Sequence, residues 1–345
     1  MATPDVTVMG AGIFGLSCAW AMVRRGARVR VIDPHGPGAG ASGGLVGALS
    51  PHVPENWNPK KQFQLESLLL AGAWWSAVEA AGGVSPGYLR SGRLQPLADA
   101  AAVAAARRRA ETAQRLWGGQ AEWRVVPLPE TPLPVGSPSG LFIHDTLTAR
   151  IAPRRALAAL GAALALRGVA VESGGEAAGP VLWATGAAGL AALSADLGRT
   201  IGGGVKGQAA LFGVSAPDAP QLFVDALHVV PHADGTVAIG STTEREYDDP
   251  ATTDAQLDAL IEQARRTVPA LTNAPVVARW AGLRPRAVSR APILGVWPGQ
   301  RGHFVANGGF KIGFGMAPKV AEVMADLVLD GRDGIPEGFR VGDCL

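Results

Sequence analysis

Cysteine is scarce in this chain: Cys18 and Cys344 are the only two, set at opposite ends of 345 residues. That excludes a disulfide framework and any cysteine-based metal-ligand spacing. An excess of one charge is missing too, since 31 Lys and Arg against 29 Asp and Glu leave a net charge of +2. Surfaces that track phosphates need clustered excess base, so nucleic acid is not an expected partner. The one basic run, Arg107-Arg108-Arg109, lies in an Ala-rich helical stretch and reads as a solvated face. No apolar run approaches the length of a membrane span. The first strand begins at Asp5 with no charged-then-apolar leader, so the expected location is the cytoplasm. No internal repeat, Ser-His-Asp set or metal-ligand cluster is legible. What is present is a globular composition, 48% hydrophobic and 17% charged, enough for one large domain or two with a sizeable core.

The N-terminal end carries the sharpest signal. Val6-Thr7-Val8-Met9 reads as a buried strand. It runs into Gly10-Ala11-Gly12-Ile13-Phe14-Gly15 and then a helix with Leu16, Ala19, Trp20 and Val23 on one face. The helix stops at Gly26, and a second strand, Ala27 to Ile32, delivers Asp33. Strand, glycine loop, helix, strand and acid in register form a complete dinucleotide fingerprint. Gly10 permits the tight turn, Gly12 lets a pyrophosphate approach the backbone, and Gly15 lets the helix sit close to the sheet. The helix N-terminus offers unpaired N–H groups to the phosphates, and Asp33 is placed to accept from the adenosine ribose.

A second small-residue loop, Gly38-Ala39-Gly40-Ala41-Ser42-Gly43-Gly44, follows at once, and Val181-Leu182-Trp183-Ala184-Thr185-Gly186 reads as a later strand ending in a small turn. In these segments the chain resembles the D-amino-acid oxidase superfamily of flavoproteins, which includes glycine oxidase and sarcosine oxidase. Further matches come in the same order along essentially the whole chain. They are Ala152-Pro153-Arg154 at a helix start, Val205-Lys206-Gly207-Gln208, Trp280-Ala281-Gly282-Leu283-Arg284-Pro285, Ala291-Pro292-Ile293-Leu294-Gly295, and the turn Asn307 to Pro318 leading into a helix to about Asp330.

Local patterns also predict helices over about 60–81 and 97–117 and a Pro-rich linker from Pro127 to Pro138. A hairpin is expected about Asp234-Gly235, and a capping box, Thr253-Asp254-Ala255-Gln256, before a helix ending near Pro269.

The resemblance implies an α/β fold: a Rossmann-like FAD-binding domain of the glutathione-reductase type, with an inserted α+β substrate domain on a mixed or antiparallel sheet. The FAD-binding domain would be assembled from residues 1–85, 140–200 and 285–345, and the substrate domain from 86–139 and 201–284. It implies non-covalent FAD held by Gly10, Gly12, Ile13, Phe14, Gly15, Asp33 and Pro34, by Ala41, Ser42, Gly43, Gly44, Leu45 and Gly47, and by Ala184, Thr185 and Gly186. Gly282, Arg284, Gly308, Gly309, Phe310, Lys311 and Ile312 complete the set. The implied activity is oxidation of the C–N bond of a small amino acid or N-substituted amino acid, by hydride transfer to flavin N5.

Such a substrate needs a fixed cation for its carboxylate, and Arg284 and Lys311 stand at family positions that supply one. His228, where relatives often carry Tyr, and His52 are further candidates for substrate contact. Some residues depart from sarcosine oxidases. Ala238 stands where those enzymes have a strand lysine, and Gly44 stands where dimethylglycine dehydrogenases have their tethering His. Ser289-Arg290 replaces the usual acid. Two other activities share these motifs. One is the flavin domain that modifies the wobble uridine of tRNA, resembled by Gly47 to Pro51 and Gly92 to Leu97. The other is a flavin subunit of a heteromeric amine dehydrogenase. The oligomeric state is not legible.

Overall fold

The computed structural model describes residues 3–344 as two large sheets and a two-stranded ribbon, Ala48–Leu49 with Ala149–Arg150, with helices around them. The first sheet has six strands in the spatial order Ile293–Val296, His303–Asn307, Val181–Trp183, Val6–Met9, Val29–Ile32 and Val171–Glu172. All its neighbours pair in parallel except the edge strand Ile293–Val296. Parallel strands are covered on both faces, and Val6, Val8, Val31 and Leu182 are correspondingly sealed in the core. The helix Ile13–Arg24 is buried from Ile13 to Val23 and packs against Gly313–Asp330.

The second sheet has eight strands, ordered Val276–Ala287, Gly202–Phe212, Val237–Gly240, Leu227–Pro231, Gln221–Val224, Arg93–Pro96, Leu141–Asp145 and Trp123–Pro127. It is mixed: only Gln221–Val224 and Arg93–Pro96 run parallel. Its two faces part company residue by residue. Ala210, Leu222, Val229 and Ile239 pack with Leu257, Ile261 and Ala264 of the helix Ala255–Thr267. Ala209, Phe223 and His228, one position away, face the cavity between the sheets.

The expected helices lie at Pro59–Gly82, Ala100–Leu116, Pro153–Ala165 and Gly313–Asp330. Asn58 caps the first of them, its Oδ1 accepting from Lys61 N at 3.1 Å, and Gly83 closes it at φ 69°. The hairpin about Gly235 forms, pairing Pro231 with Val237 and His228 with Gly240. Two sequence expectations shift. The N-cap of Ala255–Thr267 is Asp254, one residue beyond the start of the capping box, because its carboxylate reaches Gln256 N at 2.9 Å. Leu141–Asp145, on the FAD-binding side of the boundary expected at 140, falls in the eight-stranded sheet. It pairs on both sides, and Asp145 forms a buried ion pair of 3.0 Å with Arg93.

Among the described residues no helix is long and apolar enough to cross a membrane.

Candidate active site and cofactor cavity

A cavity of about 880 Å³ lies between the two sheets and is lined from both. At one end the first strand delivers Gly10 at φ 104°, where a Cβ would press to 2.8 Å from the Ala184 carbonyl carbon. Only glycine meets both constraints. The Asp33 carboxylate accepts from Ala11 N at 2.8 Å and His35 N at 3.0 Å, holding the glycine loop to the end of the second strand. Ser42 Oγ accepts from Ile13 N at 3.0 Å and would sit 3.1 Å from a Cβ on Gly12. The second loop is thereby fastened beside the N-terminus of Ile13–Arg24, which has no side-chain cap of its own helix. This bare-backbone cradle at a helix N-terminus fits a pyrophosphate, which needs close approach and N–H donors. The first turn of Gly313–Asp330 opens on the same cavity through Gly313, Phe314 and Gly315.

Most residues singled out in the sequence line this cavity. The exceptions are Gly15, Gly43, Gly308, Ile312 and His52. Four of these shape the backbone around it. A Cβ on Gly15 would overlap the Gly10 carbonyl oxygen, and one on Gly43 the Gly38 carbonyl oxygen. Gly308, at φ 74°, donates to Asn307 Oδ1 at 2.7 Å, and Ile312 is the N-cap of the last long helix. His52 lies outside the lining. Its backbone N–H donates to Gln64 Oε1 at 2.8 Å and its Nδ1 meets the same oxygen, so it is tied to the helix Pro59–Gly82.

The other end of the cavity is cationic. Arg284, 9% exposed, donates from Nη1 to the Thr242 carbonyl at 3.2 Å, and its guanidinium carbon lies 5.6 Å from the Trp280 ring centre. Burial pulls its pKa down to about 10, with Glu244 acting in the opposite direction, so it stays charged at neutral pH. Lys311 Nζ donates to Thr243 Oγ1 at 2.7 Å, and burial, then the Arg284 charge, lowers its pKa. His228 packs against Phe223 with ring centres 4.6 Å apart and the planes tilted by 43°, and its buried Nδ1 has no hydrogen-bond partner among the described residues. Burial first, then Arg93 and Lys311, push it down to about 4, which keeps the imidazole uncharged. Asp33, at the far end, is the only acid among the lining residues.

Sequence reasoning passed over Trp280, Phe223 and Ser241, all of which line the cavity. The alternation Trp280, Gly282, Arg284 along one strand is a signal that could have found the first. Phe223 and Ser241 carry no local signature; sheet pairing brings Phe223 to the cavity, and Ser241 follows the end of the strand Val237–Gly240.

A Rossmann-like cradle for a dinucleotide that continues into a second, cationic chamber defines a dinucleotide-dependent oxidoreductase. The family model for FAD-dependent oxidoreductases (DAO) matches residues 5–327, and the chain belongs to that family. It is an FAD-dependent enzyme similar to glycine oxidases. The glycine oxidase of Pseudomonas putida is 29% identical over 385 residues, which span 98% of this chain and 99% of that protein. The crystal structure of glycine oxidase from Geobacillus kaustophilus superposes with a TM-score of 0.86 at 23% identity, covering 98% of each chain. A bifunctional protein of tRNA 5-methylaminomethyl-2-thiouridine biosynthesis from Chromohalobacter salexigens is 40% identical over 74 residues. That match covers 21% of this chain and 11% of that protein.

Proposed function

We propose that this enzyme oxidises the C–N bond of a small amino acid or N-substituted amino acid, holding the substrate carboxylate on Arg284 and Lys311. The observation that carries this reading is the charge of the substrate end. The buried Arg284 guanidinium and the solvent-exposed Lys311 ammonium meet there, no acidic side chain among the described residues lines it, and a bare carboxylate is the small anion that such a chamber suits. An ammonium would find no counter-charge in it, so the amine binds uncharged, and neutral His228 offers it a hydrogen-bonding nitrogen. Phe223 and Trp280 wall the chamber with apolar surface. Bound FAD supplies the two-electron acceptor. In this reading residues 1–85, 140–200 and 285–345 carry the cofactor, apart from the strand Leu141–Asp145, and the two intervening pieces carry the substrate sheet. The direct test is anaerobic bleaching of the flavin spectrum by a panel of amino acids and N-alkyl amino acids. Failure of every member to bleach it, with tRNA or a simple amine succeeding, would overturn the assignment.

The cofactor is expected to be non-covalent. Cys18 is buried in the first helix and Cys344 near the end of the chain, and neither lines the cavity. Gly44 offers no side chain to bond the flavin. Acid precipitation of the yellow protein should leave the flavin in the supernatant, and colour that stays in the washed pellet would contradict this.

Lys311 gives the reading a pH signature. Its pKa is lowered, so its charge is present below that pKa and is lost as pH rises through it, earlier than for an ordinary lysine. The KM for the amino acid should therefore rise on the alkaline side. In Lys311→Arg, whose guanidinium keeps its proton, this limb should shift upward or vanish. A limb that stays in place would assign it to another group.

A further inference from the structure

The strand Gly202–Phe212 runs antiparallel to Val276–Ala287. Val205 stands opposite Arg284, Gly207 opposite Gly282, and Ala209 opposite Trp280. Alternation by two puts these six residues on one face, and the two facing glycines leave a hollow in the middle of it. A Cβ on Gly207 would fall onto the Arg284 guanidinium, meeting Nη1, Cζ and Nη2. A Cβ on Gly282 would lie 2.6 Å from Trp280 Cζ2. The guanidinium thus lies across Gly207 and the indole across Gly282. Gly207 itself does not line the cavity.

We propose that Gly207 is a positioning residue for substrate recognition: the missing Cβ lets the Arg284 guanidinium lie against the sheet, at the depth where it faces the substrate. This rests on the reading that Arg284 holds the substrate carboxylate. The flanking residues explain why the strand cannot yield instead. Lys206 and Gln208 point to the opposite face, where Lys206 Nζ reaches Asp254 at 2.8 Å and Glu244 at 3.6 Å. Gln208 Nε2 donates to Glu244 Oε1 at 3.0 Å and to Asp254 Oδ1 at 2.7 Å. Pinned from behind, the backbone stays, and an added methyl displaces the guanidinium. The displaced atoms are the far end of a flexible side chain, and Gly207 is not among the glycines of positive φ, so alanine is compatible with the fold.

The test compares Gly207→Ala with Gly203→Ala, a glycine of the same strand with open space around it. Both are made in wild type and in Arg284→Met. The readouts are KM and kcat for the best panel substrate, the calorimetric dissociation constant for acetate as a bare carboxylate, flavin content and Tm. Gly207→Ala should raise KM and the acetate Kd about tenfold or more, change kcat less, and leave flavin content intact. Gly203→Ala should change none of these. In the Arg284→Met background Gly207→Ala should add nothing, because the group it displaces is gone. Equal effects in both backgrounds, or wild-type acetate affinity in Gly207→Ala, would overturn the proposal. Should Gly207→Ala not fold alone, folding of the double variant would still support it, and failure of both would overturn it. If Arg284→Met keeps wild-type KM and acetate affinity, the carboxylate reading itself falls. Loss in Arg284→Met with none in Gly207→Ala sinks the positioning role alone.

Discussion

Arg284→Met should lower kcat/KM for the best amino-acid substrate by about tenfold to a few hundredfold, with the flavin spectrum and content unchanged. Methionine keeps much of the length and apolar contact of the arginine stem, so the change removes charge and donors more than volume. Each charge-assisted hydrogen bond to a carboxylate is worth about 1.5–3 kcal/mol, and a guanidinium makes two in parallel. Lys311 remains nearby and limits the loss, because its ammonium still offers a positive charge to the same anion. Removing Arg284 also relieves the repulsion that helps lower the Lys311 pKa, so Lys311 should titrate at higher pH in the variant. Stopped-flow reduction of the flavin measures the first effect, and the alkaline limb of the same experiment measures the second. Wild-type efficiency in Arg284→Met would mean that the substrate is not held by its carboxylate here.

The cofactor half of the molecule was far more legible than the substrate half, for a physical reason. A dinucleotide cradle is local: strand, glycine turn and helix are consecutive, so Gly10, Gly12 and Asp33 announce it within one stretch of chain. The substrate chamber is assembled by pairing between distant strands. Arg284 reaches the Thr242 carbonyl across 42 positions and Lys311 reaches Thr243 across 68, and neither partner has a sequence signature. His228 and His52 are both candidates on resemblance alone. Phe223 and the eight-stranded sheet put the first on the cavity, whereas the second is bonded to Gln64 of a neighbouring helix and does not line it. The pairing of Leu141–Asp145 with residues near 93 and 125 is likewise invisible to periodicity alone. The glycines Gly207 and Gly282 are the reverse case. Both stood in motifs that could be read, but that they face each other under Arg284 and Trp280 is a matter of register.

Gly15→Ala should yield a folded protein that has lost most of its flavin. Gly15 sits on the first helix directly under the glycine loop. A Cβ there would overlap the Gly10 carbonyl oxygen and lie 3.0 Å from the carbon behind it, and 3.4 Å from Ala184 Cβ. These obstacles are backbone, which cannot swing aside as a side-chain end would. The Gly10 carbonyl cannot retreat easily, because Gly10 N donates to Ile32 O at 2.8 Å and the adjoining Ala11 N to Asp33 Oδ2 at 2.8 Å. The helix must therefore move, carrying the N–H groups at its N-terminus away from the place where they meet the pyrophosphate. Overpacking of this kind costs about 1–3 kcal/mol, within the roughly 5–15 kcal/mol that holds a domain together. The fold should thus survive with a lowered Tm while the cradle does not. Gly161→Ala is the control: it lies in the helix Pro153–Ala165 with open space where the methyl would go. It should keep its flavin and gain up to about 1 kcal/mol from helix propensity. The ratio of flavin to protein absorbance after gel filtration, with Tm measured alongside, separates the two. Gly15→Ala that retains wild-type flavin content would show that the first helix does not form the phosphate cradle.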